Sequence, residues 1–272
     1  MKGMLVVSSL LDFSGTEKPR QIQENLIAYM RLFAGLVGTV LSDAESFWFV
    51  SNTSAPGNMI LRTRFDAFRT EEQIDTLLEQ IAQFSDHIDW FVFPDDQPAD
   101  LGKQLETRGM PSGPGGNWLW ADLTTLSTDS PSPEHFRVEQ VLNDQMMVQW
   151  VHVSEAGFGS ELALFYDAYA RHGYGPDAFS LHYIGYLDDT PVTSGTLLDA
   201  GGCATIYDVS TPPAFRHQGF GRAITHALMQ EIRHRGYADT WMWSSNMAKR
   251  VYQTLGYIEV DFGLREHSWQ KQ

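Results

Sequence analysis

The sequence predicts an α+β protein built from two halves. Three observations carry that prediction. The chain has 272 residues, comfortable for two domains at roughly 100–200 residues each. A stretch crowded with Ser, Thr and Pro, from Thr124 to Glu134, lies near its middle and cannot pack a core. On both sides of it short strands alternate with helices. The expected division is a first domain over 1–123, a linker over 124–135 and a second domain over 136–272.

In the second half, Phe136–Leu142 has strand character, and apolar residues spaced three and four apart predict helices over Asp144–Ala156 and Leu162–His172. Phe179–Leu187, Pro191–Leu198 and Cys203–Ser210 read as strands, with Asp188-Asp189 and Gly201-Gly202 as hairpin turns. A helix follows from Gly219 to Arg235 and stops at Gly236. Thr240–Ser245 is expected as a strand, Met247–Leu255 as a helix, Tyr257–Phe262 and Glu266–Gln270 as strands. The first half follows the theme loosely. Helices are expected over Ile22–Leu36, Thr70–Phe84 and Ala99–Arg108, the second opened by a capping box of Thr70 and Gln73. Strands are expected over Phe47–Val50, Met59–Phe65, Trp90–Phe93 and Asn117–Leu123, with Pro56-Gly57 as a turn.

Composition narrows the function. Hydrophobic residues make up 43%, enough for real cores. Lys and Arg total 19 against 34 Asp and Glu, a net charge of −15. Residues 1–135 hold 9 basic and 19 acidic side chains, and residues 136–272 hold 10 and 15. Such a chain has no basic surplus with which to grip nucleic acid or an anionic membrane. Cationic or amine-bearing partners are the electrostatically easy ones. The single Cys203 excludes an intrachain disulfide framework and a multi-Cys zinc site, and on a strand it reads as buried packing. The nine histidines show no metal spacing, and His-Glu-x-x-His and Gly-x-Ser-x-Gly are absent. The apolar run Met4–Leu11 carries two serines and no small-x-small cleavage site, so it reads as a strand or helix start rather than a signal peptide. A soluble cytoplasmic protein is expected.

The informative segment runs from Thr205 to Ala223. A β-rich run enters a loop containing Arg216, His217, Gln218, Gly219 and Gly221, and a helix leaves it. Helix starts carry unpaired N–H groups and a positive dipole end, and glycines let a ligand approach that backbone. Together they suit a phosphate or pyrophosphate. Arg216, His217 and Arg222 add positive charge. The spacing matches neither a P-loop nor the dinucleotide fingerprint, and on spacing alone an ordinary strand–loop–helix turn is equally open.

Arg216-x-x-Gly219-x-Gly221 resembles the Arg/Gln-x-x-Gly-x-Gly/Ala loop of the GNAT superfamily of acyl-CoA-dependent N-acetyltransferases. Val209-Ser-Thr211-Pro212 is similar to the strand that leads into that loop, and Ser245 to Tyr257, with Tyr252 and Leu255-Gly256-Tyr257, resembles the family's late helix. The resemblance covers 136–272. In the first half, Trp90–Pro94, Asp100-Leu101, Leu105 and Gly109 resemble a pattern of tandem-domain members. The implied fold is two tandem GNAT-like domains, each a mixed, mostly antiparallel sheet flanked by helices, the first a degenerate copy. Its loop, Asp66 to Glu72, lacks Gly-x-Gly and places Glu71 and Glu72 where a pyrophosphate would sit, so this half is expected not to bind the cofactor.

The resemblance implies an acetyl-CoA-dependent N-acetyltransferase working by direct attack of a small amine, expected to be cationic. Val209, Ser210 and Thr211, with Asp208, would offer amides to the pantetheine and the thioester carbonyl. The amides from His217 through Gln218, Gly219, Phe220, Gly221 and Arg222 to Ala223 would hold the pyrophosphate. Tyr252 falls where the family has a general acid, with core packing as the other reading. Asn246 is offset by one from the family's polar position, which Ser245 occupies, so it is a cofactor contact or a helix N-cap. Asp208 is the first candidate base and Glu155 the second, with attack through water also open. Glu155, Phe158, Glu161, Phe165, Tyr166 and Tyr169 would line the acceptor pocket, where acidic and aromatic groups suit a cation. Phe165 and Tyr169 equally read as core. The N-terminal half would close one side of the acceptor site or mediate a homodimer. A non-catalytic acyl-CoA-binding or interaction module of the same fold is the alternative.

Overall fold

The computed structural model describes residues 17–36, 38–42, 44–51, 57–127, 132–175 and 177–271. Met4–Leu11 and Pro56 of the expected Pro56-Gly57 turn lie outside them. In chain order the elements are α1 (Glu17–Leu32), β1 (Gly38–Ser42), β2 (Ser46–Ser51), β3 (Met59–Thr63), α2 (Thr70–Ile81), β4 (His87–Val92), α3 (Leu101–Thr107), β5 (Ser112–Pro114) and β6 (Asn117–Asp122). The second half continues with β7 (Phe136–Gln140), α4 (Asp144–Phe158), α5 (Ala163–Ala170), β8 (Ser180–Leu187), β9 (Thr190–Ala200), β10 (Cys203–Ser210), α6 (Phe220–His234), β11 (Asp239–Ser244), α7 (Lys249–Gln253), β12 (Ile258–Glu259) and β13 (Arg265–Gln270).

Two mixed sheets form. One has the order β1-β2-β3-β4-β13-β5 and the other β12-β6-β11-β10-β9-β8-β7. Each contains one parallel pair, β3 with β4 and β10 with β11, and the remaining pairs are antiparallel. In each, the helix between the parallel strands supplies the crossover that parallel pairing requires.

The sheets exchange strands. β6, from the first half, lies between β11 and β12, with six register pairs from Asp239↔Asp122 to Ser244↔Asn117 against β11. β13, from the second half, lies between β4 and β5. A cut within 124–135 therefore separates β6 from the sheet that holds it and leaves β13 in a sheet it no longer shares a chain with. Burial explains the exchange: Trp118, Leu119 and Ala121 of β6 are buried against the second sheet, and His267 of β13 is buried in the first.

Helix α1 also crosses between halves. Its buried Leu26, Tyr29, Met30 and Phe33 join one cluster with Trp150, Phe165 and Tyr169 of the second half. Asn25 donates to the carbonyls of Leu198, Ala200 and Cys203 at the β9–β10 turn. That turn is Gly201-Gly202, with φ of +67° and +83°. A Cβ on Gly201 would stand 2.7 Å from the Asn25 amide nitrogen, so the close approach of α1 requires glycine there. Arg171, just after α5, closes the far end of α1 by donating to the carbonyls of Arg31, Leu32 and Ala34.

Three local expectations are corrected. The Thr70/Gln73 capping box is replaced: Arg69 is the N-cap residue, the Thr70 hydroxyl donates to Asp66 O, and Gln73 Oε1 accepts from the Asp66 amide. The strand expected over Tyr257–Phe262 shrinks to Ile258–Glu259, because Tyr257 and Phe262 turn into buried clusters instead. The short strands β1 and β5 were not expected. β1 has one apolar pair and β5 is Ser-Gly-Pro, so pairing rather than side-chain pattern defines them.

Candidate active site

The site begins with a defect in β10. Its antiparallel register with β9 runs regularly from Cys203↔Ala200 to Tyr207↔Thr196, then jumps to Ser210↔Ser194. Asp208 and Val209 form the bulge, and Asp208 has φ +53°. Asp is among the few side chains that tolerate this region, and such outliers persist where neighbours hold them. On its other edge β10 pairs with β11 at Thr205↔Trp241 alone. Beyond that point no further register pair joins the two parallel strands, while Ser210 stays paired to β9 and its carbonyl accepts from Thr193 Oγ1.

The chain then makes a short 3₁₀ turn at Pro213–Phe215 and reaches α6 through two left-handed residues, His217 at +63° and Gly219 at +89°. Gly219 is the N-cap. No side chain caps this helix, and its first turn holds no acidic residue. His217, Gln218 and Gly219 are exposed. A Cβ on Gly219 meets nothing nearer than Pro133 at 3.7 Å, and one on Gly221 would touch the Thr211 hydroxyl at 3.4 Å. Phe220, Ala223, Ile224, Leu228, Met229 and Ile232 bury the opposite face and fix the helix over the sheet. An open helix start with its first-turn amides toward solvent accepts an anion without rearrangement.

Arg216 braces this loop. Its Nε donates to Thr211 O at 3.0 Å and its Nη2 to Gly157 O at 2.6 Å. The guanidinium therefore ties the loop to α4. Helix α4 presses on β10 at the same place: a Cβ on Gly157 would lie 1.8 Å from Ser210 Oγ. Ser210 Oγ donates to Ser154 O, Thr193 Oγ1 donates to Ser210 O, and Ser154 and Ser194 share a hydroxyl contact of 2.8 Å. The residues around the divergence are thus pinned by small polar side chains and one glycine.

At the bulge, Asp208 receives the hydroxyl of Tyr169 on Oδ2 at 2.6 Å and that of Tyr29 on Oδ1 at 2.9 Å. Burial raises the Asp208 carboxyl above its usual range, and the hydrogen bonds from Tyr169 and Tyr29 pull it back. Tyr29 stacks on Tyr207 at 4.3 Å, and Phe33 meets Phe165 and Tyr169 edge-on. Behind Tyr169 lies His182, stacked at 4.0 Å and pushed down to about 3 by burial, so it is neutral.

The other expected site residues fall as follows. Glu155 Oε1 accepts from the Leu162 amide, shaping the turn between α4 and α5. Phe165 and Tyr169 are buried in the core, whereas Phe158 is 51% exposed and Glu161 lies on the surface. Tyr166 is partly buried, and nearby Tyr174 donates to Asp144. Tyr252 is buried beside Tyr257, at a centroid distance of 6.1 Å, within the cluster formed with α6. Burial raises its hydroxyl, which keeps its proton throughout the neutral range. Asn246 Oδ1 accepts from Asn117 of the exchanged strand, while Ser245 Oγ accepts from the Ala248 amide; Ala248, and not Asn246, is the N-cap of α7. Cys203 is buried with its thiol pushed up to about 12, too high for a nucleophile. Sequence reasoning missed Tyr29, Thr196, His182 and Gly157. Tyr29 and Asp208 are 179 residues apart, and no local spacing signals such a contact.

A family model described as FR47-like protein matches residues 193–269. The [Ribosomal protein bS18]-alanine N-acetyltransferase of Escherichia coli K12 is 34% identical over 60 residues, 21% of this chain and 40% of that protein. Its counterpart in Haemophilus ducreyi is 29% identical over 68 residues, 24% of this chain and 45% of that protein. The chain thus spans less than half the length of these curated relatives. A solved GCN5-related N-acetyltransferase from Kribbella flavida superposes with a TM-score of 0.64 at 16% identity, over 91% of this chain and 95% of that one. A tandem GNAT protein from the clavulanic acid biosynthesis pathway gives 0.59 at 14% identity, over 95% of each. Both solved structures share the fold across the two halves.

Proposed function

The chain belongs to the GNAT superfamily, and from that premise we propose that its second half is an acetyl-CoA-dependent N-acetyltransferase acting on the amine of a small molecule. The observation that carries the reading is a juxtaposition. One continuous segment supplies both the divergence of β10 from β11 and the open start of α6. The first offers a strand edge not paired to β11 to a thioester and its pantetheine arm, and the second offers amides to a pyrophosphate. The 60 to 68 residues shared with the curated relatives do not carry an acceptor class over to this chain.

When bound, acetyl-CoA supplies the acetyl group as an activated thioester. The amides of His217 to Arg222 would hold its pyrophosphate, the expected Ala223 amide being taken by Gly219 O, and backbone from Asp208 to Thr211 would hold the pantetheine and polarise the carbonyl. Arg216 sets the loop by its bonds to Thr211 and Gly157. Asp208 takes up the amine proton; burial moves its carboxyl toward neutrality, where a base is most effective. Tyr252, which keeps its proton near neutral pH, serves as proton donor to the departing sulfur. Glu155 shapes the acceptor side. The acidic chain and the Asp208 carboxylate favour a cationic acceptor.

Thiol release from acetyl-CoA over a panel of amines, with calorimetric binding of CoA in parallel, tests the reading. Turnover that falls at least 100-fold in Asp208→Asn, with CoA affinity kept, supports it. Tight CoA binding without thiol release on any amine favours a non-catalytic acyl-CoA binder of the same fold. Absence of CoA binding overturns the cradle assignment.

A further inference from the structure

We propose that Tyr29, on the helix supplied by the N-terminal half, is a positioning residue for Asp208: with Tyr169 it directs two neutral hydroxyls at one carboxylate, one to each oxygen, and sets that group's protonation and aim. The inference rests on the reading of Asp208 as the acceptor-side base. It adds a contribution from the half that carries no open helix start.

The hydrogen-bond directions follow from chemistry. Asp208 accepts at both oxygens, from Tyr29 at 2.9 Å and Tyr169 at 2.6 Å. Behind this pair His182 contacts Thr196 Oγ1 through Nδ1 and Ser180 Oγ through Nε2, each at 3.0 Å, and all three residues are buried.

Tyr29 is held for this task. Its ring stacks on Tyr207, Phe33 packs edge-on against it at 5.3 Å, and Asn25, one turn earlier on α1, accepts from the Tyr207 hydroxyl. Around Asp208 the titratable groups are Tyr29 from α1, Tyr169 from α5, Tyr207 beside it on β10 and, one hydroxyl further, His182 from β8 with His172 beyond it. Helix α4 brings Glu155, committed to the Leu162 amide. Burial raises the hydroxyls of Tyr29, Tyr169 and Tyr207, so all three stay neutral across the working range.

The test is a carboxyl NMR titration of the full-length protein without cofactor, the Asp208 signal being assigned by its loss in Asp208→Asn. A donor bonded to the charged form lowers a carboxyl midpoint, so its removal raises it. Tyr29→Phe keeps the ring stack and is expected to move the Asp208 midpoint up by about one pH unit. Tyr169→Phe, which removes the other donor, moves it the same way. In the acetyl-transfer assay the acidic limb of kcat/KM for the amine follows the same shift while the Kd for acetyl-CoA stays unchanged. An unmoved midpoint in Tyr29→Phe, whatever happens to the melting temperature, overturns the proposal and leaves Tyr29 a packing residue. The titration needs no turnover, so a wild-type protein that transfers no acetyl group would sink the enzymatic reading alone.

Discussion

The two β–α–β units of this molecule occupy the same place in their sheets and present opposite helix starts. Before α6, the chain passes through His217 and Gly219 in left-handed conformations, and no described side chain caps the helix. Before α2, the loop is stitched shut. The Phe68 amide donates to Asp66 Oδ1, Gln73 takes the Asp66 amide, and Arg69 pairs with Glu72 at 3.1 Å. Glu71 and Glu72 fill the first turn, where carboxylates suit the dipole and repel an anion. Neither helix start has a side-chain cap, so the contrast lies in charge and loop: the first unit sets two carboxylates at its first turn, and the second sets none and enters through left-handed His217 and Gly219.

The largest expected effect breaks the symmetry at the level of the fold. Deleting residues 1–130 removes β6 from between β11 and β12 and strips α1 from the second sheet. The fragment is expected to lose soluble expression and cooperative unfolding by circular dichroism. A soluble fragment with a sharp transition would show that the exchanged strand is dispensable.

Next in size is Gly219→Glu, which puts a side chain at φ +89° and a charge in the cradle. Binding of acetyl-CoA is expected to fall at least 100-fold by calorimetry, with the melting temperature changed by only a few degrees. The paired substitution Glu71→Gln with Glu72→Gln in the first unit is expected to create no second CoA site, because the Asp66 stitching remains. A stoichiometry of two would refute that contrast.

Acid stability distinguishes the halves more finely. His182, in the second, is held near 3. The unfolded chain therefore binds the extra proton between about pH 6.5 and 3, and stability from this group is lost on acidification by about 1.4 kcal/mol per pH unit. Asp96, in the first, is pushed up to about 7 by burial, against donors from Phe93, Thr63 and Gln23. There the folded state binds the extra proton between about pH 4 and 7, and acidification stabilises by a similar slope. The two nearly offset in the wild type. Asp96→Asn is expected to steepen the acid loss and His182→Gln to reverse it, read by urea unfolding between pH 4.5 and 6.5. Unchanged slopes in both variants would contradict the assignment.

Smallest of all is Glu155→Gln, which keeps the oxygen that accepts from Leu162. A melting shift of about 2 °C or less is expected, with amine turnover within about twofold. A loss comparable to Asp208→Asn would move the base to Glu155.

Much of this was legible in the chain. The Gly219/Gly221 loop, the strand before it and the order of helices and strands rest on local physics: positive-φ turns, apolar spacing and helix ends. The acceptor side was less so. Glu155 is a turn brace and Asn246 is tied to Asn117, because each found a partner that spacing does not reveal. Asp208 was identifiable at the end of its strand, but not the two tyrosine hydroxyls that converge on it.

By itself the sequence determined where the helix start stays open, since that depends on glycines and on the absence of a capping side chain within a few residues. Only the tertiary structure decided which half owns which strand and that Tyr29 meets Asp208. Register and helix docking depend on how buried surfaces from distant segments fit, and contacts 179 residues apart leave no periodic trace in the chain.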